Sequence, residues 1–128
     1  KVVSRRYKGR KHELAWLETE IKVQTTDSNL GSIITDGIQA MIDELQKQKV
    51  VIGHLKFMVC TDHQQIKISF PTLVQSGWNS ELSHLEGSEA RLLMNARIQM
   101  NLEDLRDLKN QLVACVTENP GVTVELIR

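Results

Sequence analysis

Two stretches of the chain repeat one rhythm of hydrophobic spacing. From Leu17 to Cys60, and again from Arg91 to Arg128, a period-two segment is followed by a helical-period segment and then by another period-two segment. Period two sends alternate side chains to opposite faces of a strand, whereas a period of 3.6 gathers an apolar stripe along a helix. The short connections make each strand, helix, strand unit a candidate right-handed crossover that places both helices on one face of the sheet. The expected fold is therefore α+β: a ferredoxin-like two-layer sandwich of two βαβ halves with an additional hairpin.

The individual elements follow from the same periods. Leu17, Thr19, Ile21 and Val23 alternate with Glu18, Glu20 and Lys22, the mark of a half-buried strand. Capping residues cluster at Thr25, Thr26, Asp27 and Ser28, and a helical stripe runs from Leu30 through Ile34, Ile38 and Met41 to Leu45. Gly31 and Gly37 weaken that helix by about 1 kcal/mol each relative to Ala, which suggests close approach to the sheet. Val50–Thr61 reads as a strand with Val51, Leu55, Phe57 and Val59 on the core side. Ile52, His54, Lys56, Met58 and Cys60 take the other side. A hairpin leads to Gln65–Phe70, and Pro71 ends it because proline cannot donate to a ladder. Residues 72–90 read as a long loop carrying Trp78, of a length that is often functional or mobile. In the strand Arg91–Met100, Leu92, Met94, Ala96, Ile98 and Met100 alternate with Leu93, Asn95, Arg97 and Gln99. Asn101 caps a helix with Glu103 and Asp104 in its first turn and Leu102, Leu105, Leu108, Leu112 and Val116 as its stripe. Asn119, Pro120 and Gly121 stop it, and Val122–Ile127 is the last strand.

The 128 residues suit one domain, which buries roughly two thirds of its unfolded surface and needs no staple. Two cysteines, Cys60 and Cys115, make no disulfide framework; they are expected in apolar surroundings, in a reducing, cytoplasmic compartment. No run of 18 apolar residues and no signal-like segment is present, so a membrane partner is not expected. Lys1 is not an initiator Met, and the chain is expected to be cut from something longer. Its zero net charge is a sum of opposites. Lys1, Arg5, Arg6, Lys8, Arg10 and Lys11 fall in the first twelve residues without an acid, leaving 10 basic and 16 acidic residues. Residues 1–16 therefore read as a basic linker or arm, and 17–128 as a single α+β domain. Such an arm either gathers phosphates by counterion release or is a solvated linker, and the linker is favoured.

Candidate chemistry is sparse. Cys60 and His63 have the spacing of half a zinc site, but no second close pair completes it; Cys60 reads better as a small apolar residue and His63 as part of a polar turn. Gly-x-Ser-x-Gly, HExxH and phosphate-loop patterns are absent, and no cofactor is expected. The acid pairs Glu103 with Asp104 and Glu18 with Glu20 are explained by helix capping and a solvated strand face. One constellation stands out: with the helices on one face, His54, Lys56 and Met58 share the other with Asn95, Arg97 and Gln99. Such a face suits an acidic partner segment, a nucleotide-bearing neighbour domain or a polar ligand, or is simply a wet sheet face.

The runs Val51-Ile52-Gly53-His54-Leu55-Lys56, Leu92-Leu93-Met94-Asn95-Ala96-Arg97-Ile98 and Asn101-Leu102-Glu103-Asp104-Leu105 resemble the C-terminal domain of CobW-type GTPases, relatives of the nickel and cobalt metallochaperones. In the long forms of that family a "GHLK" strand precedes a loop, a "NAR" strand and a helix opening on an acidic turn. The resemblance covers residues 17–127 and finds no counterpart for the basic segment. It implies an accessory, non-catalytic domain, because the family's phosphate loop and Cys-x-Cys-Cys lie in an N-terminal domain without a match here. The implied partners are an upstream GTPase domain or its client protein, and the implied partner-binding positions are His54, Lys56, Asn95 and Arg97. Homo-oligomers through the open face are compatible with the same pattern. Two other expectations stand beside this one: a free-standing ferredoxin-like ligand- or metal-binding sensor, and a nucleic-acid module. The last lacks an aromatic pair on an exposed strand.

Overall fold

A computed structural model describes residues 14–128. Five strands and two helices follow in the order β1 (Ala15–Thr25), α1 (Leu30–Gln48), β2 (Ile52–Cys60), β3 (Gln65–Ser69), β4 (Glu89–Ile98), α2 (Leu102–Thr117) and β5 (Val122–Leu126). A single turn of 3-10 helix, Leu82–His84, interrupts the segment between β3 and β4. The strands form one antiparallel sheet in the order β3-β2-β4-β1-β5. Each strand, helix, strand unit therefore passes over an intervening strand: β4 lies between β1 and β2, and β1 lies between β4 and β5. The molecule is an α+β two-layer sandwich. The basic segment 1–12 lies outside the described residues, and the arm expectation with it.

Burial alternates along the sheet as the period predicts. Ile21, Val23, Leu55, Phe57, Val59, Leu92, Met94, Ala96 and Ile98 are buried and face the helices, whose stripes close over them. Asn101 caps α2 by accepting from the Asp104 backbone N–H at 2.8 Å, as its position suggested. At α1 the cap is different. Asn29 occupies the cap position without a side-chain bond to the helix; instead Thr25 Oγ1 donates to Asn29 Oδ1 at 3.1 Å and accepts from the Asp27 N–H.

Several expectations change in the folded chain. Val51 is exposed, while Ile52 packs partly buried against the core. The register explains this. Ile52 pairs with Ile98 and His54 with Arg97, so Gly53 is an extra residue on β2, and the side-chain phase inverts across it. Beyond the bulge, Leu55, Phe57 and Val59 point inward as expected. Leu102 is left at 38% exposure because it opens the first turn of α2 rather than joining the stripe that starts at Leu105. β4 begins at Glu89, two residues earlier than its periodicity suggested, and β1 begins at Ala15.

The segment between β3 and β4 is a structural cover rather than an open excursion. Leu82 is fully buried, and Trp78 meets Phe70 edge-on, as Phe70 in turn meets Phe57. Here the helix glycines find their reason, and it is not the sheet. A Cβ on Gly31 would collide with the Leu82 carbonyl, while one on Gly37 would press on the Val116 and Leu112 side chains where α1 meets α2. Gly31→Ala is expected to destabilise the fold by about 1–3 kcal/mol through overpacking, against about 1 kcal/mol gained in helix propensity. Gly37→Ala meets only movable side-chain atoms and should cost less. Urea denaturation of the two variants checks the order; equal midpoints would show that the Leu82 turn yields freely.

Candidate functional site

Among the described residues the second sheet face carries no helix, and the strand registers set its side chains in rows. One row runs from His54 on β2 through Arg97 on β4 to Trp16 on β1. The next holds Ser69, Lys56, Asn95 and Glu18, and the third Lys67, Met58, Leu93 and Glu20. A fourth brings Gln65, Cys60, Arg91, Lys22 and Glu125 into line. The four positions singled out from sequence thus meet as two directly opposed pairs, His54 with Arg97 and Lys56 with Asn95. All four lie on this face.

Arg97 has the most constrained environment of the four. Its guanidinium carbon stands 4.5 Å from the centroid of the Trp16 ring. On the β2 side, a Cβ at Gly53 would come within 3.5 Å of its Nε and 3.7 Å of its Cγ, so the bare glycine lets the arginine stem lie against the bulge. Arg97 Nε is buried there without a hydrogen-bond partner among the described residues. Trp16 itself is 64% exposed, well beyond what an aromatic ring in a core shows.

The acids on the face are held internally. Glu20 is buried, its carboxylate bonded by Arg91 Nη1 at 3.3 Å and Arg128 Nε at 3.1 Å. Its backbone N–H also donates to the Arg128 carbonyl at 2.9 Å, and its own carbonyl accepts from the Ile127 N–H at 2.8 Å. Glu20 is thus a clamp on the end of β5, not the solvated strand residue expected from alternation. Lys22 pairs with Glu125 at 3.3 Å, and Asn95 Nδ2 donates to Glu18 Oε2 at 3.2 Å. Lys56, Lys67 and Arg97 have no carboxylate at ion-pair distance among the described residues.

Hollows mark the surface of the described residues, among them one of about 280 Å³ beside Gly53, His54, Lys56 and Ser69. A shallow one of about 320 Å³ lies on the open face, with Lys56, Lys67 and Ser69 along one side, Asn95 and Glu18 on the other, and Met58 and Leu93 between. Another, of about 450 Å³, sits at the end of the sheet between the β2–β3 turn and residues 86–91 and takes in Cys60, Asp62, His63, Glu86 and Arg91. Among the described residues no group of three or more His, Cys, Asp or Glu side chains is placed to hold a metal ion. Cys60 is half-buried beside Gln65 and Arg91 rather than in an apolar setting. Cys115 is also half-buried: partial burial pushes its thiol pKa up, and Asp36 and Glu118 add to the shift. A raised pKa keeps the thiol protonated and weakly nucleophilic.

Trp16, Lys67 and the Glu20 clamp lie outside the positions singled out from sequence. Trp16 closes the segment read as a basic arm, although Ala15 continues the inward phase of Leu17 and Thr19 and signals two more strand residues. Lys67 sits on β3, whose outer face joins that of β2 and β4 only through the strand register. No local signal marks Glu20, since its two arginines are 71 and 108 residues away in sequence. No described helix is long and apolar enough to cross a membrane. Comparison with family models, with curated proteins and with solved structures found no match to this chain.

Proposed function

We propose that this chain is a non-catalytic docking domain that receives a partner protein on its uncovered sheet face. The observation that carries this reading is the opposition of His54 to Arg97 and of Lys56 to Asn95 on adjacent central strands, beside an exposed Trp16 and with no covering layer among the described residues. Soluble sheets do leave one face wet, but a stacked Arg and Trp pair with unpaired lysines resembles an interface more than a solvated surface. The fold reading is ferredoxin-like. Without β3, the order β2-β4-β1-β5 with a helix crossing in each half supports it, and β3 then stands as the added edge hairpin.

The partner we infer is the nucleotide domain of a CobW-type metallochaperone GTPase, upstream in the same polypeptide, or that protein's client. This rests on the resemblance of the "GHLK" and "NAR" strands, which are direct neighbours in the sheet. The complete reading frame tests it: a phosphate-loop domain upstream is expected, and its absence would remove the GTPase assignment.

The docking surface has its own test. Lys56→Ala should change stability by less than about 1 kcal/mol, because an exposed charge contributes little, whereas Arg97→Ala should cost about 1–2 kcal/mol through the lost stacking on Trp16 and packing on Gly53. Affinity of the double variant for the separately expressed nucleotide domain, measured by calorimetry, should fall on the order of tenfold or more, as for residues at the centre of an interface. Unchanged affinity in a folded double variant would rule out this face as the contact.

A further inference from the structure

We propose that the uncovered face reads carboxylates, and that its occupant is an acidic segment of a partner protein in which a Glu or Asp side chain neighbours an apolar one. This rests on the docking reading above and specifies its chemistry.

Charge is the first ground. Among residues 14–128 there are 10 basic and 15 acidic residues, so this part of the chain is acidic as a whole. On the open face the balance is reversed. Glu20 is neutralised by two arginines, Glu125 by Lys22, and Glu18 is engaged by the Asn95 amide, whereas Lys56, Lys67 and Arg97 have no internal counter-charge among the described residues. An acidic partner supplies what the face lacks, and the acidic remainder of the domain repels it from other surfaces.

Arg97 is the second ground. A free arginine loses side-chain entropy when it clasps a carboxylate, but this one already lies between the bare backbone of Gly53 and the ring of Trp16. Among the described residues its Nε is shut off from solvent and partnerless, so the group has its terminal nitrogens left for an incoming ligand. Those two nitrogens form a planar fork that matches a carboxylate in a bidentate fashion. The stacked tryptophan holds the fork and lends its own surface to the contact.

Spacing is the third. Residues two apart on a strand are about 6.6–6.8 Å apart, and the same rise holds in an extended peptide laid along it. A carboxylate facing Arg97 therefore sets the side chain two to four residues on over the hollow, where Met58 and Leu93 form an apolar floor flanked by Lys56 and Lys67. The lysine heads lie beside that floor and favour a second acid next to the apolar group.

The probe is an acetylated, amidated peptide of two Glu-Ser-Leu-Ser repeats, titrated at low salt into the ¹⁵N-labelled chain. Saturable shifts are expected at the Trp16 indole N–H, the Arg97 Nε–H and the backbone amides of residues 54–58 and 93–97. A Gln-Ser-Leu-Ser peptide should need on the order of tenfold more to reach the same shift, since it lacks the charge that doubles hydrogen-bond strength. Arg97→Lys, which keeps charge but loses the fork, should weaken Glu-peptide binding severalfold; Lys47→Ala, on the far side of α1, should leave it unchanged. Equal binding of the Gln and Glu peptides at these residues would overturn carboxylate reading while leaving the face as a docking surface. Shifts confined to the helices, or larger shifts with inorganic phosphate than with the Glu peptide, would overturn it as well. A silent titration would do the same, and calorimetry with the nucleotide domain would still decide the docking reading separately.

Discussion

Phe57→Ala is expected to lower stability by about 3–5 kcal/mol, the largest loss of any single change considered. Phe57 is 2% exposed at the centre of the sheet, where β2 lies between β3 and β4. Its ring meets Phe70 edge-on at 6.0 Å between centroids, and Phe70 meets Trp78 at 5.4 Å. Removing the ring therefore opens a cavity under the sheet and unseats the chain of aromatics that ties the 72–88 segment to the core. Denaturant unfolding followed by far-ultraviolet dichroism should show a lower midpoint at similar slope, and the Trp78 emission should shift to the red in the native baseline. A loss below about 1 kcal/mol would mean that the site collapses without a cavity, contrary to the dense packing around Phe57.

Leu105→Ala should cost about 2–5 kcal/mol, for a different reason. Leu105 is fully buried one turn into α2 and begins the inward stripe continued by Leu108, Leu112 and Val116. That stripe fastens α2 to β1, β5 and α1, and the loss of its first member should loosen the turn that follows the Asn101 cap. Leu102→Ala is the internal control, because Leu102 is exposed and its truncation should stay within about 0.5 kcal/mol. Similar losses for both variants would place the helix one position out of register.

The contrast between Leu102 and Leu105 shows how far local pattern reaches. The alternation in β1, β2 and β4 and the stripe of α2 were legible because each is a repeat within a few residues, and repeats decide which side of an element is apolar. The cap at Asn101 was legible for the same reason, as its bond closes over three residues. Three features were not. The phase inversion at Gly53 moved Val51 outward and Ile52 inward, and it is defined only by the partner strand against which an extra residue is counted. Glu20 looks like any polar alternate of an amphipathic strand until β4 and the chain end bring Arg91 and Arg128 to it. Gly31 looks like a close approach to the sheet, yet the atom it makes room for belongs to the Leu82 turn.

The candidate face divides the same way. That His54, Lys56, Asn95 and Arg97 point away from the helices follows from period two and the apolar identity of their neighbours. That they stand opposite one another follows only from the insertion of β4 between β1 and β2, which alternation cannot specify because any two amphipathic strands can pair. The same insertion carries Trp16 to Arg97 from the far end of the chain and leaves Arg97 Nε without a partner among the described residues. By itself, the sequence determined the elements, their inward faces and the polarity of the outward one, since these depend on side chains a few residues apart. The tertiary structure alone decided strand order, the bulge, the Glu20 clamp and the stacked arginine, since each depends on which distant backbone supplies the neighbour.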